Sequence, residues 1–165
     1  MPKWPKFTCQ LVGPGVNWRH SGLASIMSQS THKGPRPTRK KGPLIYLVDD
    51  QPVLLDLAEM SLQADGYDFK KFLDPESALE SFLKARTKPA LLITDYAMGK
   101  MNGLELIEKC KAVKPDLKSI LISGTAGAEI VLESPVHVDR FMGKPYQPAN
   151  LADLVRRILA SGAAA

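Results

Sequence analysis

The chain has 165 residues, 44% of them hydrophobic and 24% charged, which is the composition of an ordinary soluble globular protein of one domain. No apolar run approaches the ~18 residues of a membrane span, and Gly13, Pro14 and Gly15 interrupt the apolar stretch near the N-terminus, which argues against a secretory signal. Cys9 and Cys110 provide neither a disulfide framework nor a metal-binding spacing. We therefore expect a cytoplasmic protein without a membrane span.

The net charge of +5 is unevenly distributed along the chain. Residues 1–43 contain eight Lys and Arg and no Asp or Glu, whereas residues 44–165 contain 14 basic and 17 acidic residues. The first segment is rich in proline and lacks sustained apolar periodicity, which predicts a basic, disordered tail over residues 1–43. Its basic cluster allows non-specific contact with nucleic acid or an acidic membrane, but a solubilising tail is the favoured interpretation, so no specific nucleic acid is expected as a partner.

From Leu44 onward, apolar runs that predict strands alternate with patterns that predict helices. The predicted strands cover residues 44–48, 68–72, 90–94, 117–122 and 140–143. The predicted helices cover residues 52–64, a segment that begins at Pro75 with Asp74 as its cap, and residues 103–113, 126–133 and 148–160. Strict alternation predicts an α/β fold in which helices cover both faces of a parallel sheet.

Within these helices, apolar residues at helical spacing predict the faces that contact the sheet. The residues assigned to such faces are Val53, Leu57, Met60 and Ala64; Ala78, Leu79, Phe82 and Leu83; Leu104, Ile107 and Cys110; and Leu151, Leu154, Val155, Ile158 and Leu159. Pro52 suits the first turn of the first helix, and Gly66 suits its end.

Polar side chains follow four of the five predicted strands. Asp49 and Asp50 follow the first strand, Asp95 the third, Ser123 the fourth and Lys144 the fifth. The carboxyl ends of parallel strands form one edge of the sheet, where ligands bind. Clustered carboxylates favour a hard divalent cation, and a hydroxyl with a lysine suits the oxygens of a phosphoryl group.

Four motifs carry these residues, namely LVDD at 47–50, TDYAMGKMNG at 94–103, LISG at 121–124 and FMGKP at 141–145. Together they resemble the receiver domain of two-component response regulators. The resemblance covers residues 44–161, which leaves 162–165 as a short C-terminal tail. It implies a flavodoxin-like, doubly wound five-stranded sheet with strand order 2-1-3-4-5 and five helices. Because no residues remain after the last helix for an output domain, a stand-alone, single-domain regulator is expected.

The resemblance also implies a role for several side chains. Asp95 would accept the phosphoryl group, although alone it would be interpreted as a loop aspartate. Ser123 would be the switch hydroxyl and Phe141 the switch aromatic, although a turn serine and a core phenylalanine are the ordinary interpretations of such residues. Lys144 would clamp the phosphoryl group, and the Lys144–Pro145 bond is expected to be cis.

Mg²⁺ is the expected cofactor. The resemblance implies that Asp50, Asp95 and the backbone carbonyl of Ala97 bind the ion, while Asp49 acts through a water or steers it. The ordinary interpretation of the acidic pair is a helix N-cap. The sequence departs from the family at Gly99, where proline is usual, which predicts a looser loop after Asp95.

These expectations define a phosphoacceptor that receives its phosphoryl group from a histidine kinase or a histidine phosphotransfer protein and signals to an output protein by changing conformation. A phosphorelay intermediate and a phosphate sink remain alternatives. A Mg²⁺-dependent aspartyl-phosphate phosphatase is disfavoured, because Ala97 stands where such haloacid-dehalogenase-like enzymes carry a second aspartate. The protein is therefore expected not to be an enzyme, beyond self-catalysed phosphorylation and dephosphorylation.

Overall fold

Five short apolar segments form one parallel sheet in a computed structural model that describes residues 42–125 and 127–161. The strands are β1 (Leu44–Val48), β2 (Asp68–Phe72), β3 (Leu91–Asp95), β4 (Lys118–Ser123) and β5 (Arg140–Gly143). The helices are α1 (Pro52–Leu62), α2 (Pro75–Lys84), α3 (Gly103–Val113), α4 (Glu129–Leu132) and α5 (Pro148–Ser161). The alternation predicted from the sequence is confirmed, and element ends differ from the prediction by up to three residues.

The strand order is β2-β1-β3-β4-β5, as the resemblance implied. All neighbours are parallel, with Ile45 beside Leu91 and Thr94 beside Leu121 in the register of the ladder. The order reverses between β1 and β3, and this reversal opens a crevice at the carboxyl ends of those two strands. Asp49 and Asp95 stand at that crevice.

Helix ends follow local sequence rules. The Asp74 side chain accepts a hydrogen bond from the Ser77 N–H, which confirms Asp74 as the cap of α2. Asn102 and Glu105 form a reciprocal capping box at the start of α3. A 3-10 turn, Gln63–Asp65, follows α1, and Gly66 ends it with φ of 75°, a left-handed conformation that glycine adopts at little cost.

Two hydrophobic layers cover the sheet because successive strand residues point to opposite faces. Ile45, Leu47 and Ile93 face α1 and α5, whereas Tyr46 and Leu92 face α2 and α3. Each fully buried leucine or isoleucine stabilises the fold by about 1.5–3 kcal/mol. Cys110 belongs to the second layer, as predicted, and burial raises the pKa of its thiol to about 12.

The predicted inward face of α1 is wrong. Leu55, Ala58 and Leu62 are buried, whereas Val53 is 75% exposed and Met60 is 72% exposed. The helix is apolar around most of its circumference, so that two apolar faces fit the same periodicity. The sheet covers one of them and leaves the other exposed.

Smaller corrections concern the other helices. Leu83 in α2 is exposed rather than buried, and in α3 Leu106 is fully buried while Leu104 is only half-buried. The α5 prediction is confirmed for Leu151, Val155 and Ile158. In α2, α3 and α5, the predicted buried face lies within one helical-wheel position of the observed face.

The basic tail falls almost wholly outside the described residues, and its disorder stays a prediction. Gly42 and Pro43, assigned to the tail, belong to the described residues, and the Pro43 carbonyl accepts a hydrogen bond from the Asp68 N–H at 3.2 Å. Within the described part of the chain, no helix is long and apolar enough to cross a bilayer.

Candidate functional site

Asp95 is the last residue of β3 and is only 7% exposed. Its Oδ2 accepts a hydrogen bond from the Ala97 N–H at 2.9 Å, which fixes the orientation of the carboxylate. The Tyr96 N–H donates to the Ile122 carbonyl at 2.8 Å, and this bond holds the next residue against β4. A Cβ at Gly103 would overlap the Asp95 carbonyl oxygen, so glycine is required there for α3 to start this close to the strand.

Asp49 follows β1 directly and is also 7% exposed. Its Oδ1 accepts a hydrogen bond from the Gln51 N–H at 2.9 Å, and its own N–H donates to the Phe72 carbonyl at 3.2 Å. The N-cap of α1 is Gln51, and no side chain caps this helix. The capping interpretation of the acidic pair is therefore wrong, and Asp50 lies exposed beside Asp49.

Lys144 joins the two buried carboxylates. Its Nζ lies 2.7 Å from Asp95 Oδ1 and 2.8 Å from Asp49 Oδ2. Burial lowers the pKa of Lys144, but the hydrogen bonds and charges of Asp49 and Asp95 outweigh that effect and raise the pKa above its usual value. The ammonium group therefore stays charged at neutral pH and offsets the repulsion between the carboxylates.

Ser123 ends β4 and is buried, and its backbone carbonyl accepts a hydrogen bond from the Lys144 N–H at 2.7 Å. Its Oγ accepts a hydrogen bond from the Thr125 N–H at 3.3 Å. The hydroxyl and the lysine therefore belong to adjacent strand ends, as the sequence predicted. The Lys144–Pro145 bond is cis, as expected. Phe141 is half-buried and packs against the layer that contains α3, so its switch role stays a prediction.

The residues proposed to hold Mg²⁺ have the right chemistry, because carboxylate and carbonyl oxygens are its preferred ligands. Asp49 and Asp95 already point at one positive charge, the Lys144 ammonium, and each carboxylate oxygen keeps a second lone pair. Among residues 42–125 and 127–161, no three His, Cys, Asp or Glu side chains form a ready-made metal cluster. Because the Lys144 ammonium contacts both Asp49 and Asp95, an ion bound to these two carboxylates would compete with Lys144.

Gly99 has a φ of 73°, and nothing lies within 4 Å of where its Cβ would be. Proline fixes φ near −65°, so the proline usual in the family could not adopt this backbone. Gly99 therefore gives the loop a backbone conformation that proline could not adopt, whereas the looseness of the loop stays a prediction. Neither Gly99 nor the exposed Ala97 brings a titratable group to the site.

Tyr146 is a neighbour of the site that the sequence analysis missed. Burial, opposed by Lys144 and assisted by the charges of Asp49 and Asp95, raises the pKa of its hydroxyl. Its ring lines a pocket of about 370 Å³ together with Leu54, Leu57, Gly124, Lys144 and Pro145. An aromatic residue directly after the Lys-Pro pair was the available indication.

Residues 45–156 match the sequence profile described as the response regulator receiver domain. A chemotaxis protein CheY homolog of Campylobacter jejuni is 29% identical over 123 residues, which are 72% of this chain and 93% of that protein. The response regulator receiver protein CpdR of Brucella abortus is 28% identical over 70% of this chain and 95% of its own length. The transcriptional regulatory protein CssR of Bacillus subtilis is 31% identical over 70% of this chain, but the match spans only 50% of that longer protein.

Solved structures agree with the sequence comparison. A CheY-like receiver domain from Methanospirillum hungatei superposes with a TM-score of 0.67 at 25% identity, covering 73% of this chain and 96% of that one. The BeF3-activated receiver domain of DrrB superposes with a TM-score of 0.65 at 25% identity, covering 72% of this chain and 98% of that one. The match over residues 45–156 and the strand order together show that the chain belongs to the response regulator receiver domain family of two-component signalling.

Proposed function

We propose that Asp95 accepts a phosphoryl group from a histidine kinase or a histidine phosphotransfer protein. The observation that carries the proposal is the Lys144 ammonium, held 2.7 Å from Asp95 and 2.8 Å from Asp49 at the carboxyl edge of the sheet. A buried carboxylate with a fixed cation beside it is suited to phosphoryl transfer, because negative charge on the phosphoryl oxygens must be offset.

In the proposed reaction, a carboxylate oxygen of Asp95 attacks the phosphorus of a phosphohistidine. The new O–P bond forms as the P–N bond breaks, and the leaving imidazole takes up a proton from solvent. The Ala97 N–H holds the carboxylate in place, while Lys144 and the Ser123 hydroxyl receive the phosphoryl oxygens. Receiver domains generally bind Mg²⁺ for phosphorylation, and the ion would offset further charge when bound to Asp49, Asp50, Asp95 and the Ala97 carbonyl.

The exposed face of α1 supports delivery by a protein donor. Val53, Leu57 and Met60 form an apolar surface, and the pocket lined by Leu57, Lys144 and Tyr146 lies between that surface and the phosphoacceptor. Exposed apolar patches of this kind commonly mark interaction sites. We infer that the donor packs an apolar helix face there while its phosphohistidine approaches Asp95.

A second surface, made by α4, β5 and α5, is the proposed output face. Leu132 in α4 is 85% exposed, and β5 is an edge strand that contains Phe141 and directly precedes Lys144. Phosphorylation would change this face because Lys144 directly follows β5, and Ser123 ends β4, the strand that pairs with β5. If backbone chemical shifts of α4, β5 and α5 stay unchanged on phosphorylation, this output role is excluded.

Members of the receiver domain family are signalling domains rather than classical enzymes. The Ala97 side chain also offers no acid or base for a phosphatase reaction. The phosphorelay and phosphate-sink roles use the same acceptor chemistry and differ in where the phosphoryl group goes next. Transfer from the phosphorylated protein back to a histidine phosphotransfer protein would favour a relay or sink. Binding of an output protein only after phosphorylation would favour a stand-alone regulator.

The acceptor role is tested by incubating the protein with acetyl phosphate and Mg²⁺ and measuring the intact mass. We expect one added phosphoryl group that requires Mg²⁺ and that is lost in Asp95→Ala. Asp153→Ala is the matched control, because Asp153 is an exposed carboxylate on α5. An adduct that persists in Asp95→Ala would overturn the proposal.

A further inference from the structure

A second, partly buried charge cluster lies at the opposite end of the sheet from Asp95. Asp139 immediately precedes β5, and its Oδ2 accepts hydrogen bonds from the Ser119 N–H at 2.9 Å and from Lys111 Nζ at 3.0 Å. The Ser119 hydroxyl donates to the same oxygen at 3.1 Å, and Lys118 Nζ lies 3.4 Å from Oδ1. One carboxylate therefore connects the last turn of α3, the start of β4 and the start of β5.

The surroundings of Asp139 stabilise the charged form of its carboxylate. Burial alone would raise the pKa of Asp139, but Lys111 and then Ser119 outweigh this effect and hold the pKa below its usual value. His137 Nε2 stands 4.0 Å from Oδ1 but is exposed to solvent. The carboxylate thus stays ionised at neutral pH, and its bonds are stronger than those between neutral groups.

The strand that this cluster holds has few other attachments. β5 has four residues, none of them fully buried, and it pairs with β4 on one side only. At its start, the Asp139 N–H donates to the Ser119 hydroxyl at 3.3 Å, and at its end the Lys144 N–H donates to the Ser123 carbonyl at 2.7 Å. Specific bonds at both ends therefore define the register between β5 and β4.

We propose that Asp139 is a positioning residue for Lys144. By fixing the start of β5 against Ser119, it determines where the strand ends, and hence where the Lys144 ammonium stands between Asp49 and Asp95. Register matters here because a shift of one residue would turn each side chain of β5 to the opposite face of the sheet. The consequence for phosphorylation rests on the function proposed for Asp95, whereas the positioning of Lys144 does not.

The first readout concerns position alone. The side-chain ammonium signal of Lys144 is followed by ¹⁵N NMR in the unphosphorylated, full-length protein. We expect Asp139→Asn to shift or broaden this signal, and Asp116→Asn to leave it unchanged. Asp116 is the matched control, because it is an exposed carboxylate at the same end of the sheet that pairs with Lys114 at 3.0 Å. An unchanged Lys144 signal in folded Asp139→Asn would overturn the proposal.

The second readout is a double-mutant cycle on the rate of phosphorylation by acetyl phosphate. We expect Asp139→Asn to slow phosphorylation about threefold to tenfold and to have no further effect in the Lys144→Ala background. A merely structural role would give the same fold-loss in both backgrounds, and that result would contradict the proposal. Ser119→Ala, which removes one hydroxyl from the cluster, provides a milder variant should Asp139→Asn fail to fold.

The two proposals fail in different ways. If the native protein takes up no phosphoryl group on Asp95, the proposed function is wrong, and the NMR comparison still decides whether Asp139 positions Lys144. If Asp95 is phosphorylated but the Lys144 ammonium signal is the same in Asp139→Asn as in the native protein, only the positioning role of Asp139 is wrong.

Discussion

At the scale of single residues, Lys144 determines the electrostatics of the site. The Asp49 and Asp95 carboxylates both lie within 2.8 Å of the Lys144 ammonium, so they are close enough to repel each other in a partly buried crevice. The ammonium between them offsets that repulsion. The same geometry makes the lysine a competitor of any cation that binds Asp49 and Asp95. Affinity for a divalent ion therefore reports directly on the position of the lysine.

We predict that Lys144→Met binds Mg²⁺ more tightly than the native protein, by about tenfold, because it removes a competing positive charge. Isothermal titration calorimetry measures this affinity without phosphorylation. Lys114→Met is the control, because it removes an equal charge at the opposite end of the sheet. Equal or weaker Mg²⁺ binding by Lys144→Met would show that the lysine does not occupy the cation site.

Asp139 gives a prediction for pH. Its folded-state pKa lies below the unfolded value of 3.8, so the folded state binds this proton less readily than the unfolded state. The stabilisation by the Asp139 carboxylate is therefore complete well above pH 3.8 and is lost as the pH falls below that value. Urea unfolding should show the native protein more stable than Asp139→Asn at pH 6, with the difference shrinking towards pH 3. A difference that grows on acidification would contradict the charged state assigned to Asp139.

At the scale of elements, α1 shows what periodicity leaves open. Leu55 and Ala58 alternate with Leu57 and Met60 along a helix with few polar residues, so the sequence allowed either face to pack on the sheet. An exposed apolar face of this kind commonly marks a site of interaction with another molecule. Its place beside the pocket at Lys144 is consistent with donor docking.

We predict that Met60→Ser combined with Val53→Ser slows phosphotransfer from a protein donor by about tenfold or more, because central apolar contacts dominate docking energy. Phosphorylation by acetyl phosphate should be unaffected, since small donors do not need the surface. The comparison is made by phosphoryl transfer from a panel of histidine phosphotransfer proteins. Leu132→Ser, which removes an exposed leucine from the proposed output face, serves as control. Equal losses of phosphorylation rate with the protein donors and with acetyl phosphate would show that these α1 residues contribute to stability rather than to docking.

At the scale of the whole molecule, the alternation of strands and helices predicted an α/β fold, and the resemblance supplied the strand order. The convergence of Asp49, Asp95 and Lys144 followed from their places at strand ends, because parallel strands bring those ends together. That Lys144 contacts both carboxylates, and that Asp50 stays exposed, depends on side-chain packing and could not be predicted from spacing.

The cluster around Asp139 was not predictable from the sequence at all. Asp139 lies 28 residues after Lys111 and 20 after Ser119 in the chain, and each of the three alone has the character of a surface residue. Only the packing of α3 against β4 and the pairing of β4 with β5 bring them together and partly shield them from water. Tyr146 was missed for a related reason, because its burial depends on how the segment after β5 turns towards α1.

The central claim is that Asp95 is the phosphoacceptor, and sodium borohydride reduction of the phosphorylated protein tests it most directly. Hydride reduces the carbonyl carbon of an acyl phosphate to a primary alcohol and expels phosphate, so an aspartyl phosphate becomes homoserine. We predict homoserine at position 95 alone in peptide mass maps, and only after treatment with both acetyl phosphate and Mg²⁺. Homoserine at another aspartate, or a phosphoryl group that survives reduction on a serine or threonine, would contradict the claim.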